Sequence, residues 1–455
     1  MPKEKEQMTD IRTYLRTKEE LCRESGTIPP ALFAEYGVNR GLRDLSGKGV
    51  LTGLTNISKI VSFKDGQPCE GELWYRGWRV EDLISSLNGR SGFERTAYLL
   101  LFGRMPDEDE EREFSSVLGS LRLSLPKNFV RDVVMKRPTK DVMNSMTCSI
   151  LKLASYDDTT GSSDLSDNIG QCMRLIAVFP LLAVYGWHAY NHYENGGSMY
   201  IHTPDPSLSA AQSFLSLLRP DGRFDPLEAQ VLDIALMLHM EHGGGNNSTF
   251  TTRVVTSSGS DTYSTVAAAM SSLKGPRHGG ANLKVMEMMA DIRRNVADTD
   301  DRDAVSAYLD RIVDKDTFDR QGLIYGMGHA VYSISDPRER VLRGFVEKLA
   351  AAKGREKDLR LYETVEAEAP KIIAAKRRIY KGVSPNVDFF SGFVYDMLGL
   401  PVELYTPLFA VARVVGWSAH RLEELVGGGK IMRPAYLSVM KELGHDDEIT
   451  QSDLC

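Results

Sequence analysis

The stretch DPLEAQVLDIALMLHMEHGGGN, residues 225–246, sets the character of this chain. Asp225-Pro226 is a helix start, because an aspartate accepts hydrogen bonds from the first free N–H groups and a proline suits the first helical position. From Leu227 the apolar residues recur every three or four positions, which predicts a helix running to about Glu241. Glycines then end it, so the helix delivers His239, Glu241 and His242 to a break in the chain. A glutamate beside two histidines invites a metal-dependent hydrolase. The spacing is not HExxH, however, and no other Cys/His pair completes such a site. The better reading points His242 into a cleft as a ligand for an anion or a carbonyl.

The same periodicity extends in both directions. FSSVLGSLRLSL, VMNSMTCSILKLASY, AAQSFLSLL, DTYSTVAAAMSSL and LFAVARVVGWSAHRLEELV all space their apolar residues helically. The longest apolar run, LIAVFPLLAVYGWHAY at residues 175–190, is short for a membrane span of about 20 residues and contains Pro180. It reads as a buried core helix. Strand-like alternation is confined to residues 50–75, VLTGLTNISKIVSF and ELWYRGW. The expected class is therefore all-α, two-lobed, with a small β feature near the N-terminus. Charge-rich stretches at 298–316 and 348–378 read as exposed helices. They suggest a small lobe of residues 283–402 inserted into a large lobe of residues 1–282 plus 403–455.

The 455 residues are 42% hydrophobic and 26% charged, enough apolar material for a sizeable core. The net charge of −7 disfavours a general nucleic-acid binder, yet arginines inside a pocket act locally. Five dispersed cysteines with no CxxC pair fit a reducing cytoplasm. The opening segment lacks the apolar centre of a signal peptide, and no membrane partner is expected.

Three further segments carry chemistry. In GPRHGGAN, residues 275–282, the glycines let backbone approach a ligand, and a helix starts near Asn282. The helix dipole lowers the pKa of His278, and a neutral imidazole there donates to a developing enolate oxygen. In GMGHAV, residues 326–331, Gly326, Met327 and Gly328 form either a plain turn or a flexible loop whose backbone contacts a nucleotide-like group and presents His329. No Rossmann strand accompanies it. Arg338, after Asp336-Pro337, is either part of a structural salt bridge or a grip on a substrate carboxylate with two hydrogen bonds. In PNVDFFSG, residues 385–392, Asp388 lies in apolar company. It is either a helix cap or a base whose pKa burial raises. Arg413 sits within the apolar FAVARVVGW and requires a partner or a ligand. Arg433, in KIMRPAY, is either a surface residue or a further anion ligand. Two histidines, one carboxylate and several arginines fit proton abstraction beside a carbonyl on a polyanionic substrate. Neither a GxSxG elbow nor a nucleophilic cysteine suggests an acyl-enzyme.

On these motifs, together with GLRDLSGKG and ELWYRGWRVEDLI, the chain resembles the citrate synthase family from about Gly41 to about Arg433. The resemblance implies condensation of acetyl-CoA with oxaloacetate and hydrolysis of citryl-CoA, with no cofactor beyond the coenzyme A thioester. It implies that Asp388 deprotonates the acetyl methyl group, that His278 stabilises the enol, and that His329 binds and protonates the keto oxygen. His242, Arg338 and Arg413 would hold oxaloacetate, and Arg433 matches an arginine that the family supplies from the partner of an obligate homodimer. The sequence departs from the pattern at Arg277 and Ser333. Ser333 replaces a coenzyme A phosphate ligand, for which Lys381, Lys376 and Arg377 are substitutes. A 2-methylcitrate synthase, using propionyl-CoA, shares the same catalytic set.

Overall fold

The computed structural model describes residues 18–19, 23, 27–43, 49–276, 278–329, 331–377 and 382–440. Arg277 and Lys381 lie outside the described residues. Residues 1–54 form one unit, in which α1 (Pro30–Glu35) is a short helix. The second unit begins at Thr55 and contains the rest of the fold.

That unit opens with an antiparallel sheet in the order β1 (Ser58–Lys64), β2 (Gln67–Tyr75), β3 (Trp78–Arg79). Asp65 and Gly66 both have positive φ, 52° and 77°, the backbone that a tight hairpin requires. Inward residues alternate along β2 at Gly71, Leu73 and Tyr75. A side chain at Gly71 would collide with the backbone of Ser335, so this glycine lets the sheet lie against the segment leading to Arg338.

The remainder is helical. After α2 (Val80–Ser85) come α3 (Phe93–Phe102), α4 (Glu108–Arg122), α5 (Val142–Leu153) and α6 (Leu165–Asn195). Next are α7 (Ala210–Leu218), α8 (Pro226–His239), α9 (Asn247–Ser257), α10 (Thr262–Leu273), α11 (Ala281–Asn295) and α12 (Arg302–Val313). The series closes with α13 (Pro337–Lys353), α14 (Glu356–Lys376), α15 (Val387–Met397) and α16 (Tyr405–Gly427). This is an all-α fold with a small sheet, as the periodicity indicates.

Helix α6 is the axis of the core. Asp164 caps its start, and Gly196, at φ 70°, ends it. Residues 175–186 are buried throughout, Pro180 included. The helix is long and apolar enough to cross a membrane, but 78% of its most apolar window is buried against the protein. Helix α16 packs along it and is buried almost throughout from Leu408 to Leu422. Helix α8 starts as its sequence requires: Asp225 accepts from Leu227 N, and Glu228 returns a bond to Asp225 N. It ends at His239, slightly earlier than the apolar spacing suggests.

Candidate active site

Four breaks between helices converge. They are the turn after α8, the loops before α11 and α13, and the start of α15. The last two are joined by backbone. Gly328 N donates to Ser384 O at 2.7 Å, Asn386 N donates to Gly326 O at 2.9 Å, and Met327 bridges Pro385. Asn386 caps α15 through Asp388 N at 3.0 Å, while its Nδ2 donates to Gly328 O at 2.8 Å. One asparagine therefore both starts the helix bearing Asp388 and fixes the loop bearing His329. Asn386 is the cap; Asp388, in the first turn, is free of that duty. Its carboxyl is pushed up to about 6 by burial, against the pull of Arg338 and Arg413.

Asp336 fills a similar place at α13. Its carboxylate accepts from Arg338 N, from Arg338 Nε at 3.0 Å and Nη2 at 2.7 Å, and from Val387 N at 3.2 Å. It thus ties the first residue of α15 to the guanidinium of Arg338. Burial would raise its pKa, but Arg338 outweighs this and holds it below the usual carboxylate range. The ion pair uses Nε and Nη2 of Arg338, leaving Nη1 for a ligand. Arg340 binds Glu70 at 2.7 Å and Glu81 at 3.1 Å, fastening the start of α13 to the sheet.

The backbone fixes the ring proton of His329. His329 Nδ1 accepts from Val331 N at 3.0 Å and Tyr332 N at 3.2 Å, so the neutral ring carries its proton on Nε2. That nitrogen stands 3.5 Å from Arg338 Nη2, and the ring lies 5.2 Å from that of His242. His242 Nε2 is buried without a protein partner. Burial, then the charge of Arg338, drives its pKa well below the ordinary histidine value. His278 Nε2 meets Ser248 Oγ at 3.1 Å; that hydroxyl also accepts from Trp417 Nε1 at 3.1 Å. The pKa of His278 falls to about 4, chiefly through burial and secondly through Arg413.

Arg413 is fully buried in α16. Its Nε donates to His239 O at 2.7 Å, and its edge lies over the Phe409 ring at 4.8 Å. Nη1 and Nη2 have no partner. An arginine stripped of water on two of its nitrogens is an anion site. Its charge lowers the pKa of Asp388, His242 and His278 alike.

The structure therefore gathers His242, His278, His329, Arg338, Asp388 and Arg413. Gly326, Met327 and Gly328 adjoin them as the loop that pairs with the start of α15. Arg433 is exposed, in the extended segment after α16, and is not brought into this set within the chain. Lys376 is held by Asp310 at 2.8 Å and Asp314 at 2.7 Å, and Arg377 bonds to Gly322 O. Neither is poised for a phosphate. Ser333 is buried. The HMEH cluster does not converge as a metal site: Glu241 turns to His420, and among the described residues no three His, Cys, Asp or Glu side chains are arranged to hold a metal ion. Sequence reasoning missed Ser248, Asp336 and Trp417. Asp336-Pro337-Arg338 contained a signal, since a carboxylate two residues before an arginine can cap a helix and pair at once. The role of Ser248 depends on contacts across the fold that no spacing reveals.

The chain matches the family model for the citrate synthase C-terminal domain over residues 44–435. The citrate synthase of Haloferax volcanii is 34% identical over 389 residues, 84% of this chain and 93% of the relative. The 2-methylcitrate synthase of Shewanella oneidensis is 34% identical over 369 residues, 80% of this chain and 87% of the relative. Among solved structures, citrate synthase from Thermoplasma acidophilum, in a ternary complex with carboxymethyl coenzyme A and oxaloacetate, aligns with a TM-score of 0.73 at 26% identity, over 91% of this chain and 99% of that one. The Pyrobaculum aerophilum citrate synthase gives 0.70 at 28% identity, over 90% of this chain and 94% of that one.

Proposed function

We propose that this chain, a member of the citrate synthase family and an acyl-transferring enzyme, forms citrate by condensing acetyl-CoA with oxaloacetate at the six gathered residues. The observation that carries this is Arg413: a buried guanidinium with two unpartnered nitrogens, beside Arg338, three histidines and a carboxylate. Two arginines match the two carboxylates of oxaloacetate.

Asp388 takes a proton from the acetyl methyl group, and its raised pKa brings its basicity closer to the task. The negative charge passes to the thioester oxygen, where His278, neutral at physiological pH, donates a hydrogen bond. Ser248 orients this ring. The enol carbon attacks the keto carbon of oxaloacetate. His329 Nε2–H polarises and then protonates the keto oxygen, with Nδ1 fixed by two backbone donors. His242 lies beside it as a second donor to the keto acid. Water then hydrolyses citryl-CoA.

This reading includes a homodimer in which Arg433 of each chain completes the other's site, and a small lobe of residues 283–402 that closes over the substrates. It also includes contact of Gly326, Met327 and Gly328 with coenzyme A, with Lys381 as a phosphate ligand, and a cytoplasmic location supported by the free thiols of Cys69, Cys148 and Cys172.

Thiol release with oxaloacetate and each acyl-CoA tests the assignment, because one methylene in an apolar pocket changes kcat/KM by about 10- to 200-fold at most. Acetyl-CoA is expected to give the higher kcat/KM. A clear propionyl-CoA preference makes the chain a 2-methylcitrate synthase, the second reading that the Shewanella relative supports.

A further inference from the structure

The reaction above leaves the buried carboxylate of Glu241 unused. Its Oε1 accepts from Gly243 N at 2.6 Å, from Ser58 Oγ at 2.8 Å and from His420 Nε2 at 3.0 Å. These donors belong to the glycine loop itself, to β1 and to α16. Helix α16 also carries Arg413 two turns before His420. At Gly416, between them, any side chain would collide with Met240 O and Glu241 Oε2, so the helix backbone lies directly on this residue pair. A second anchor holds the main chain: Tyr75 Oη of β2 donates toward Glu241 O at 3.0 Å. Burial pushes the pKa of Glu241 up, but His420, Arg413 and Ser58 outweigh it and leave the group at about 2, an anion at every working pH.

We propose that Glu241 is a positioning residue for the keto-acid site: by clamping Gly243 to β1 and α16, it fixes where His242 points relative to Arg413. The inference rests on the reading of that site as the oxaloacetate site. Three glycines follow His242, and a glycine run has no side chains to define its path. The carboxylate supplies the missing constraint at the first of them. It also ties the loop to the helix that carries Arg413, so the unpartnered Nε2 of His242 and the unpartnered Nη groups of Arg413 keep a common frame. Glu241 itself touches no substrate atom.

The test compares S58A, E241Q and E241A with the unaltered protein. Oxaloacetate binding is measured by calorimetry without acyl-CoA, and KM for both substrates, kcat and Tm are measured alongside. S58A and E241Q are expected to weaken oxaloacetate binding about 5- to 50-fold and to leave the acetyl-CoA KM within about twofold. E241Q keeps an acceptor oxygen for Gly243 N–H, so it should bind more tightly than E241A. S58A removes one of three donors and keeps the proposal testable if E241A does not fold. Oxaloacetate affinity within twofold of the unaltered protein in folded S58A and E241Q overturns the proposal. So does an equal loss for both substrates, which marks general loosening. If the unaltered protein itself binds no oxaloacetate, the keto-acid assignment has failed; if it binds and the variants are unchanged, only the role of Glu241 has.

Discussion

At the scale of single residues, the site depends on groups held away from their ordinary ionisation. Asp388 must lose its proton to act as a base, and its pKa stands at about 6 instead of 3.8. The value of kcat/KM should therefore fall as pH drops through about 6. A profile flat to pH 4.5 would exclude Asp388 as the base. Asp388→Asn should lower kcat by roughly 10²- to 10⁴-fold while oxaloacetate still binds. The same substitution should raise Tm. A carboxyl whose folded pKa lies above its unfolded value loses stability as pH rises between the two, roughly 1–3 kcal/mol by pH 7.5 for this shift, and asparagine avoids that loss. An unchanged or lower Tm would contradict the burial argument. His278 depends on Ser248 in another way. Trp417 Nε1 donates to the hydroxyl, which keeps one proton to share between Asn246 Oδ1, at 2.9 Å, and His278 Nε2. When Nε2 receives it, the ring proton resides on Nδ1, available to the enol. Ser248→Ala should lower kcat about 10- to 100-fold with the oxaloacetate KM little changed. A matched rise in KM would indicate a displaced loop and not a misdirected proton.

At the scale of elements, catalysis depends on helix starts. Asn386 and Asp336 each serve as an N-cap and as a tether to a neighbouring segment. Asn386→Ala should cost about 1–2 kcal/mol of stability, the usual loss for a removed cap. It should also lower kcat more than the cap alone requires, because the clamp from Asn386 to Gly328, which joins the His329 loop to the start of α15, goes with it. Asn386→Asp keeps the cap and removes the Nδ2 donor, so it should restore Tm and not kcat. Recovery of both would make the clamp irrelevant. These elements were largely legible in the chain. Asp225-Pro226 marked the start of α8, the apolar run at 175–190 marked the centre of α6, and alternation with turn residues located the sheet. The titratable groups could be picked out because each breaks a local rule: Asp388 among phenylalanines, Arg413 among valines, His278 and His329 among glycines. What the sequence withheld was pairing at a distance. No periodicity links Ser58 to Glu241 or Ser248 to His278, because those contacts exist only once β1 has packed on the turn after α8, and α9 on the loop before α11. The surroundings of HMEH are hidden for the same reason. The spacing showed three ligand-type residues, and the fold spends Glu241 on His420, Ser58 and a backbone N–H.

At the scale of the whole molecule, two sets of buried titratable groups act on stability with opposite signs. His239, His242 and His278 are kept neutral by burial and by the arginines, with folded pKa values below the ordinary 6.5. The unfolded chain binds protons there that the folded chain refuses, so acid below about pH 6.5 favours unfolding. Asp388, Asp233 and Glu339 lie the other way, raised by burial to about 6, about 7 and about 8. Glu94 adds to the shift of Asp233, which accepts from Gly92 N and Phe93 N at the start of α3; Glu366 adds to that of Glu339, whose Oε1 is buried without a partner. These carboxyls keep protons that the unfolded chain has already released, and stability is lost as pH rises towards their folded values. Between pH 4 and 6.5 the two sets oppose each other. Above 6.5 the histidines no longer contribute, and the carboxyls act alone. Tm of the ligand-free protein should therefore fall from pH 6.5 to 8.5. Glu339→Gln should flatten that slope and raise Tm most at pH 8.5, since the amide carries no charge to bury. Oxaloacetate, which binds the folded state alone, should raise Tm at each pH. A thermal unfolding series in steps of half a pH unit, with and without the substitution, measures all three effects. A Tm that climbs from pH 6.5 to 8.5 in the ligand-free protein would mean that these carboxyls are ionised in the fold and that the sign assigned to them is wrong.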